Sequence, residues 1–185
     1  MLLIGGKADR SETGTSTDPM GSLIVAADPA LSEFHNSETA GDGTQRLELA
    51  VRLACRLEVR ARKPGNVSPG VSFVDLTAED LELAGAAIAP VIAQAGQMGV
   101  GATILQAVQS TRTVTRGNPN LGIILLLAPL AAIPADVRIS AGIRRVLDST
   151  TREDAGLVFE AIRVAKPGGL GAATQQDVHK APTVT

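Results

Sequence analysis

Apolar positions return every three or four residues along most of the chain beyond residue 44, which is the helical period rather than the alternation of strands. From about Gln45 to Arg62, Leu47, Ala50, Val51, Ala54 and Leu57 form one face, while Arg52, Arg56 and Arg60 run along another. Thr77-Ala-Glu-Asp80 has the form of a capping box with Asp in place of the usual Glu or Gln. It opens a second helix to about Ala95, with Leu81, Ala84 and Ile88 inward and a kink expected at Pro90. After Gly99 and Gly101 a third helix, Thr103 to about Thr115, puts Ile104, Ala107, Val108 and Thr111 on one side. The most apolar stretch follows, Asn118 to Pro134, NPNLGIILLLAPLAAIP. Asn118 suits an N-cap and Pro119 the first helical position, where no N–H is needed. A helix apolar on every side predicts burial. The thirteen residues from Leu121 to Ile133 are too few for the roughly 20 that cross a bilayer. Ala135 to Leu147 predicts a further helix, and Thr151-Arg-Glu-Asp154 opens a last one through Val164, with Ala155, Val158, Phe159 and Ile162 inward. The pattern predicts an all-α fold, a compact multi-helix bundle around a central buried apolar helix at about 118–133.

The segments between these patterns are short, except at the N-terminus. Residues 1–43, with SETGTSTDP and NSETAGDG, show no sustained period and are expected to be a disordered or weakly ordered tail ahead of one domain, 44–185. KPGNVSPG, Lys63 to Gly70, must be a loop, since two prolines and two glycines stop any helix there. Val71 to Leu76 is a short apolar run interrupted by Asp75.

Composition narrows the function. The chain is 44% hydrophobic with three Phe and no Trp or Tyr, which suits closely packed helices and gives little for stacking a nucleic acid. One cysteine, Cys55, cannot make an internal disulfide and reads as a packed thiol. The first ten residues lack the form of a secretory signal, so the cytoplasm is the expected location. Residues 1–43 hold seven acids and two bases, leaving twelve acids and fifteen bases in the remainder. That balance fits an anionic small ligand, and is too weak for nucleic acid or a membrane surface.

Candidate chemistry gathers at helix ends. The Asn118–Gly122 helix start exposes N–H groups that suit a phosphate, or Asn118 is a structural cap only. Glu58 falls toward the apolar side of the first helix. It is either an i,i+4 partner of Arg62 or a buried acid or metal ligand beside a site. Arg112 either complements its helix C-terminus or reaches a phosphate with its guanidinium fork. Lys63 and Asn66 are either solvated turn residues or ligand contacts. Neither His35 nor His179 has the spacing of a zinc ligand.

In order along the chain, KPGNVSPGVSFVDLTAEDL, GVGATILQAVQSTRTVTRGNPNLGIILLLAPLAA and EDAGLVFEAIRVAKPGGLG resemble the triphosphoribosyl-dephospho-CoA synthase family. The likeness is closest to its archaeal and planctomycete-type branch and covers roughly residues 47–184. It implies an all-α enzyme that transfers the triphosphoribosyl group of ATP to the ribose hydroxyl of 3′-dephospho-CoA and releases adenine. A related step of one-carbon cofactor synthesis, of the tetrahydromethanopterin type, is the alternative, as is a non-catalytic helical homologue. The resemblance points to Asp75 as first choice for the acid–base group, with Glu58 and Asp177 sharing that task or holding Mg²⁺ against the triphosphate, the metal set being left between Glu58 and Asp75. Lys63, Arg112 and the Asn118, Asn120 and Gly122 helix start would cradle the phosphates, with Asn66 and Thr111 positioning. ATP and a dephospho-CoA-like acceptor are the implied partners, with no nucleic acid and no membrane. The chain departs from the pattern at Pro119, where a hydroxyl residue is usual, and at Ala84-Gly85, where Ser-Ala is common. It reads as a member shortened at its C-terminus.

Overall fold

The structure is a computed structural model, and it describes residues 42–185. The expected disorder of residues 1–43 lies outside the described residues except at its last two positions. There Asp42 caps the first helix, accepting from the Thr44 N–H at 3.4 Å. Among the described residues seven helices form and no strand does, so the fold is all-α. They are α1 (Gly43–Arg60), α2 (Ala78–Ile92), α3 (Ala95–Met98), α4 (Val100–Val114), α5 (Leu121–Ala131), α6 (Ile139–Asp148) and α7 (Arg152–Ala165).

Both capping boxes form as their spacing demands. Thr77 and Asp80 at α2, and Thr151 and Asp154 at α7, each satisfy the other's backbone N–H. Pro90 lies on the exposed side of α2, which ends two residues later at Ile92, so the predicted run to Ala95 breaks into α2 and the single turn α3.

The helix at the centre is α4, not the apolar 118–133 stretch. It packs against α2, α5 and α7, and Gly101, Thr103, Ile104, Ala107, Val108 and Thr111 are all buried. Small side chains on several of its faces let three neighbours approach at once, which a helix of leucines does not allow. Only Ile124 and Ala128 of α5 are buried, and Leu126 is 63% exposed. The hydrophobicity of α5 exceeds what its contacts use.

Two other helices turn their expected faces only partly inward, with Val51 buried and Leu47 and Val158 packed against the core. In α1 the buried positions are Val51, Leu53, Cys55 and Val59, while Ala54 is exposed. In α7 they are Ala161 and Ala165, with Ala155, Val158, Phe159 and Ile162 only half-buried. Close approach decides the first. A Cβ at Gly85 of α2 would lie 2.6 Å from the Cys55 Cβ, so glycine lets α2 settle against Cys55. Burial, and to a lesser extent the nearby Glu58 charge, push the Cys55 thiol up to about 11. The thiol is thus protonated near neutrality, and native protein at pH 8 is expected to resist iodoacetamide while urea-unfolded protein is alkylated. Fast alkylation of the native form, followed by mass spectrometry, would contradict this packing.

Two cores result. The larger joins α1, α2, α4, α5 and α7. The smaller, Val59, Val67, Ala78 and Leu81 with Leu76 against it, fastens the loop after α1 to the start of α2. That second cluster fixes where Asp75 stands.

Candidate active site

A cavity of about 580 Å³ opens between the segment before α2 and the turn that joins α4 to α5. Its volume is in the range of small-molecule sites, roughly 300–1,000 Å³. One wall is Phe73, Val74, Asp75, Leu76, Thr77 and Asp80; the other is Val114 to Pro119.

The first wall is built by short-range bonds. Val67 is wholly buried, and Ser68 and Val71 exchange backbone bonds of 3.0 and 2.8 Å, closing a turn through Gly70 at φ 83°. Phe73 N–H then donates to the Leu76 carbonyl at 2.9 Å, so Val74 and Asp75 form the tip of a second turn. Asp75 is exposed at that tip, and no hydrogen bond or ion pair engages it among the described residues. Asp80 is already engaged, its Oδ2 accepting from the Thr77 N–H and hydroxyl at 2.9 Å each.

The second wall is held by a buried bond, Thr111 Oγ1 donating to Asn120 Oδ1 at 3.0 Å. This bond explains why α5 starts later than expected. Asn120, rather than Asn118, occupies the cap position, yet its side chain is drawn to Thr111 and caps no α5 N–H. The Asn120 Nδ2 and both amide atoms of Asn118 are shielded from solvent and have no partner among the described residues. An unpaired buried polar atom costs about 1–3 kcal/mol, and of the two amides only Asn118 lines the cavity, where a ligand could satisfy it. Arg116 stands two residues before it on the cavity wall, exposed and with no partner among the described residues.

Asp75 and Asn118 therefore share one cavity, and the other expected site residues are not among its lining residues. Lys63 folds back on α1, its Nζ donating to the Glu58 carbonyl at 2.8 Å and to the Glu58 carboxylate. Glu58 thus pairs with Lys63, not Arg62, because the helix ends at Arg60 and the chain turns Lys63 beneath it. Asn66 accepts from the Val67 N–H at 2.9 Å within the loop. Arg112 points to α7, donating to the Val164 carbonyl at 2.9 Å. Gly122 is exposed one residue into α5. Asp177 lies in the segment after α7, accepting from the Ala173 N–H at 3.0 Å and the His179 N–H at 2.9 Å. The His179 and Ala173 N–H bonds hold its carboxyl below its ordinary range. His35 lies outside the described residues.

Sequence reasoning missed Arg116, Phe73 and Val74. The signal for Arg116 was its place two residues before Asn118, outside any helix and so with no helix end to complement.

An all-α fold with a half-apolar cavity, an uncommitted carboxylate and an unengaged guanidinium beside an orphaned amide is an arrangement that suits a small anionic ligand. The family model for ATP:dephospho-CoA triphosphoribosyl transferase matches residues 44–185, and the chain belongs to that family. It is thus an enzyme of the transferase class that passes the triphosphoribosyl group of ATP to dephospho-CoA. No curated protein and no solved structure matches the chain. No helix among the described residues is long and apolar enough to cross a membrane.

Proposed function

We propose that this cavity is where the transfer takes place, with Asp75 as the group that handles the acceptor hydroxyl and Arg116 with Asn118 as the phosphate contacts. One observation carries the reading: the unpaired carboxylate of Asp75 and the unpaired guanidinium of Arg116 line the same cavity. The reaction breaks the C1′–N9 bond of ATP and forms a bond from C1′ to the ribose oxygen of dephospho-CoA. The hydroxyl proton passes to Asp75 and from there, through water, to the departing adenine, which restores the carboxylate. Positive charge develops on the sugar as the bond to adenine lengthens, and a carboxylate nearby lowers the energy of that state.

Magnesium enters as part of the ATP substrate. No group of three His, Cys, Asp or Glu side chains among the described residues could hold a metal by itself. Magnesium usually binds through phosphate oxygens and its own waters with at most one or two carboxylates, so Mg·ATP asks for no dedicated cage, and Asp75 is kept for the acceptor hydroxyl. The ion would supply neutralisation of the triphosphate charge. Glu58, bound to Lys63, is less suited, and we assign Glu58, Lys63, Arg112, Thr111 and Asp177 to holding the fold. The use of ATP and dephospho-CoA supports a cytoplasmic location.

The test compares two arginines four positions apart. Arg116→Ala is expected to raise KM for ATP about tenfold or more, the loss of one charge-assisted phosphate contact. Arg112→Ala, which loses only its bond to the Val164 carbonyl, should leave KM within about twofold. Adenine release measured by chromatography decides, and the reverse ranking would move the phosphate site to α7.

A further inference from the structure

We infer that the cavity holds its nucleotide in one direction, with the adenine ring on Phe73 and Val74 and the triphosphate toward Arg116 and Asn118. This rests on the reading of the cavity as the ATP site and adds to it the residue that recognises the base. Phe73 is one of three phenylalanines in a chain without Trp or Tyr. It is 47% exposed on the cavity wall, and Val74 beside it is fully exposed. Large apolar side chains left in water at a concave site mark a surface that a ligand covers.

The two walls differ in kind. The first wall carries the only aromatic ring and, in Asp75 and Asp80, both carboxylates of the cavity, whereas the second, though Val114 and Pro119 are apolar, carries its only cation, Arg116, and the Asn118 amide. A nucleoside triphosphate has the same division, an aromatic base at one end and anionic oxygens at the other. Seated this way, the base meets the apolar wall and the phosphates meet the guanidinium. The opposite seating would set phosphates against Asp75 and leave Arg116 facing an uncharged ring.

The position of Asp75 agrees with this direction. It follows Phe73 by two residues within one turn, at most roughly 7 Å of chain, which puts the carboxylate within reach of the glycosidic bond of a base on Phe73. The turn that Phe73 closes with Leu76 contains both residues, and the Ser68–Val71 turn before it anchors the segment, so their backbone positions are held together. Phe73 is thus a binding residue for the leaving group, and stacking does not depend on the identity of hydrogen-bonding groups on the ring.

The experiment measures binding of Mg·ATP and of inorganic tripolyphosphate to the whole chain by calorimetry, for the parent protein, Phe73→Ala and Arg116→Ala, with helical content checked by circular dichroism. Phe73→Ala is expected to weaken ATP about tenfold and to leave tripolyphosphate unchanged, while Arg116→Ala weakens both. Unchanged ATP binding in Phe73→Ala, with Arg116→Ala still impaired, overturns the direction but leaves the ATP site standing. Equal weakening of both ligands by Phe73→Ala means that the ring only shapes the loop, and also overturns it. If neither variant alters either ligand, the ATP site itself is elsewhere and the inference falls with it.

Discussion

Asp75→Asn is expected to release adenine from ATP at least about a hundredfold more slowly than the parent, with kcat falling and KM for ATP changing little. A positioned acid or base contributes about 10²–10⁴ to such a step, and an amide can neither take the acceptor's proton nor offset positive charge on the sugar. The stability of the variant should be nearly that of the parent. Asp75 is exposed at the tip of its turn and makes no hydrogen bond or ion pair among the described residues, and surface changes of this kind usually stay within about 0.5 kcal/mol. This separation of rate from stability is what distinguishes a reacting carboxylate from a structural one. Asp80→Asn serves as the contrast, because Asp80 accepts two bonds from Thr77 and its loss weakens the α2 start. Adenine is followed by chromatography with Mg·ATP and dephospho-CoA, beside a thermal melt of each variant. A rate within threefold of the parent for Asp75→Asn would remove Asp75 from the chemistry.

How much of this could be read from the chain depends on whether the cause was local. Thr77 and Thr151 announced two helix starts because both partners of a capping box lie within one turn of sequence. The α4 start was placed at Thr103 instead of Val100 because its donor is answered by Asp154, 53 residues away. Likewise Asn118 looked like the α5 cap, and only the Thr111–Asn120 bond shows why the helix begins after Asn120. Hydrophobicity misled where it was excessive. The 121–131 stretch is apolar on all sides, so it signalled burial, but the centre belongs to α4, whose glycine, alanine and threonines admit neighbours on several faces.

The site divides in the same way. Asp75 drew notice through the family resemblance and as an acid in an apolar run, Asn118 as an asparagine at a helix start, and the structure brings the two to one cavity. Arg112 and Arg116 could not be ranked from the sequence, since four residues and the end of α4 separate a guanidinium on the α7 carbonyls from one at the cavity. Glu58 and Lys63 are five residues apart, beyond the i,i+4 spacing that pointed to Arg62. Their pairing needs the turn after Arg60, which the sequence predicts without giving its direction.

Asp154 carries the largest expected loss of stability. Its Oδ2 accepts from the Thr151 N–H at 2.9 Å and hydroxyl at 2.8 Å, while its Oδ1 crosses to α4 and accepts from the Gly101 N–H at 3.0 Å. One carboxylate therefore serves two helix starts. The crossing is close, because a Cβ on Gly101 would lie 2.6 Å from the Asp154 Cα, so water has little room to replace the bond. Asp154→Ala removes one half of a capping box, about 0.5–2 kcal/mol, and orphans a buried donor, about 1–3 kcal/mol, giving roughly 1.5–5 kcal/mol in all. That corresponds to a fall of roughly 4–20 °C in Tm. Asp80→Ala, which breaks the equivalent box at α2 without a second helix, should cost only about 1 kcal/mol. Acid gives a further check. Burial would raise the Asp154 carboxyl, but the Thr151 and Gly101 N–H groups and the Thr151 hydroxyl outweigh it and hold the group below its ordinary range. A depressed folded value means that its contribution is complete above the unfolded value of about 3.9 and disappears as pH falls through the lower folded one. Asp154→Asn should accordingly be less stable than the parent at pH 7 and approach it below about pH 4, measured by urea unfolding at each pH. A constant gap across that window, or a loss for Asp154→Ala no larger than for Asp80→Ala, would mean that the bond to Gly101 contributes nothing to holding α4 against α7.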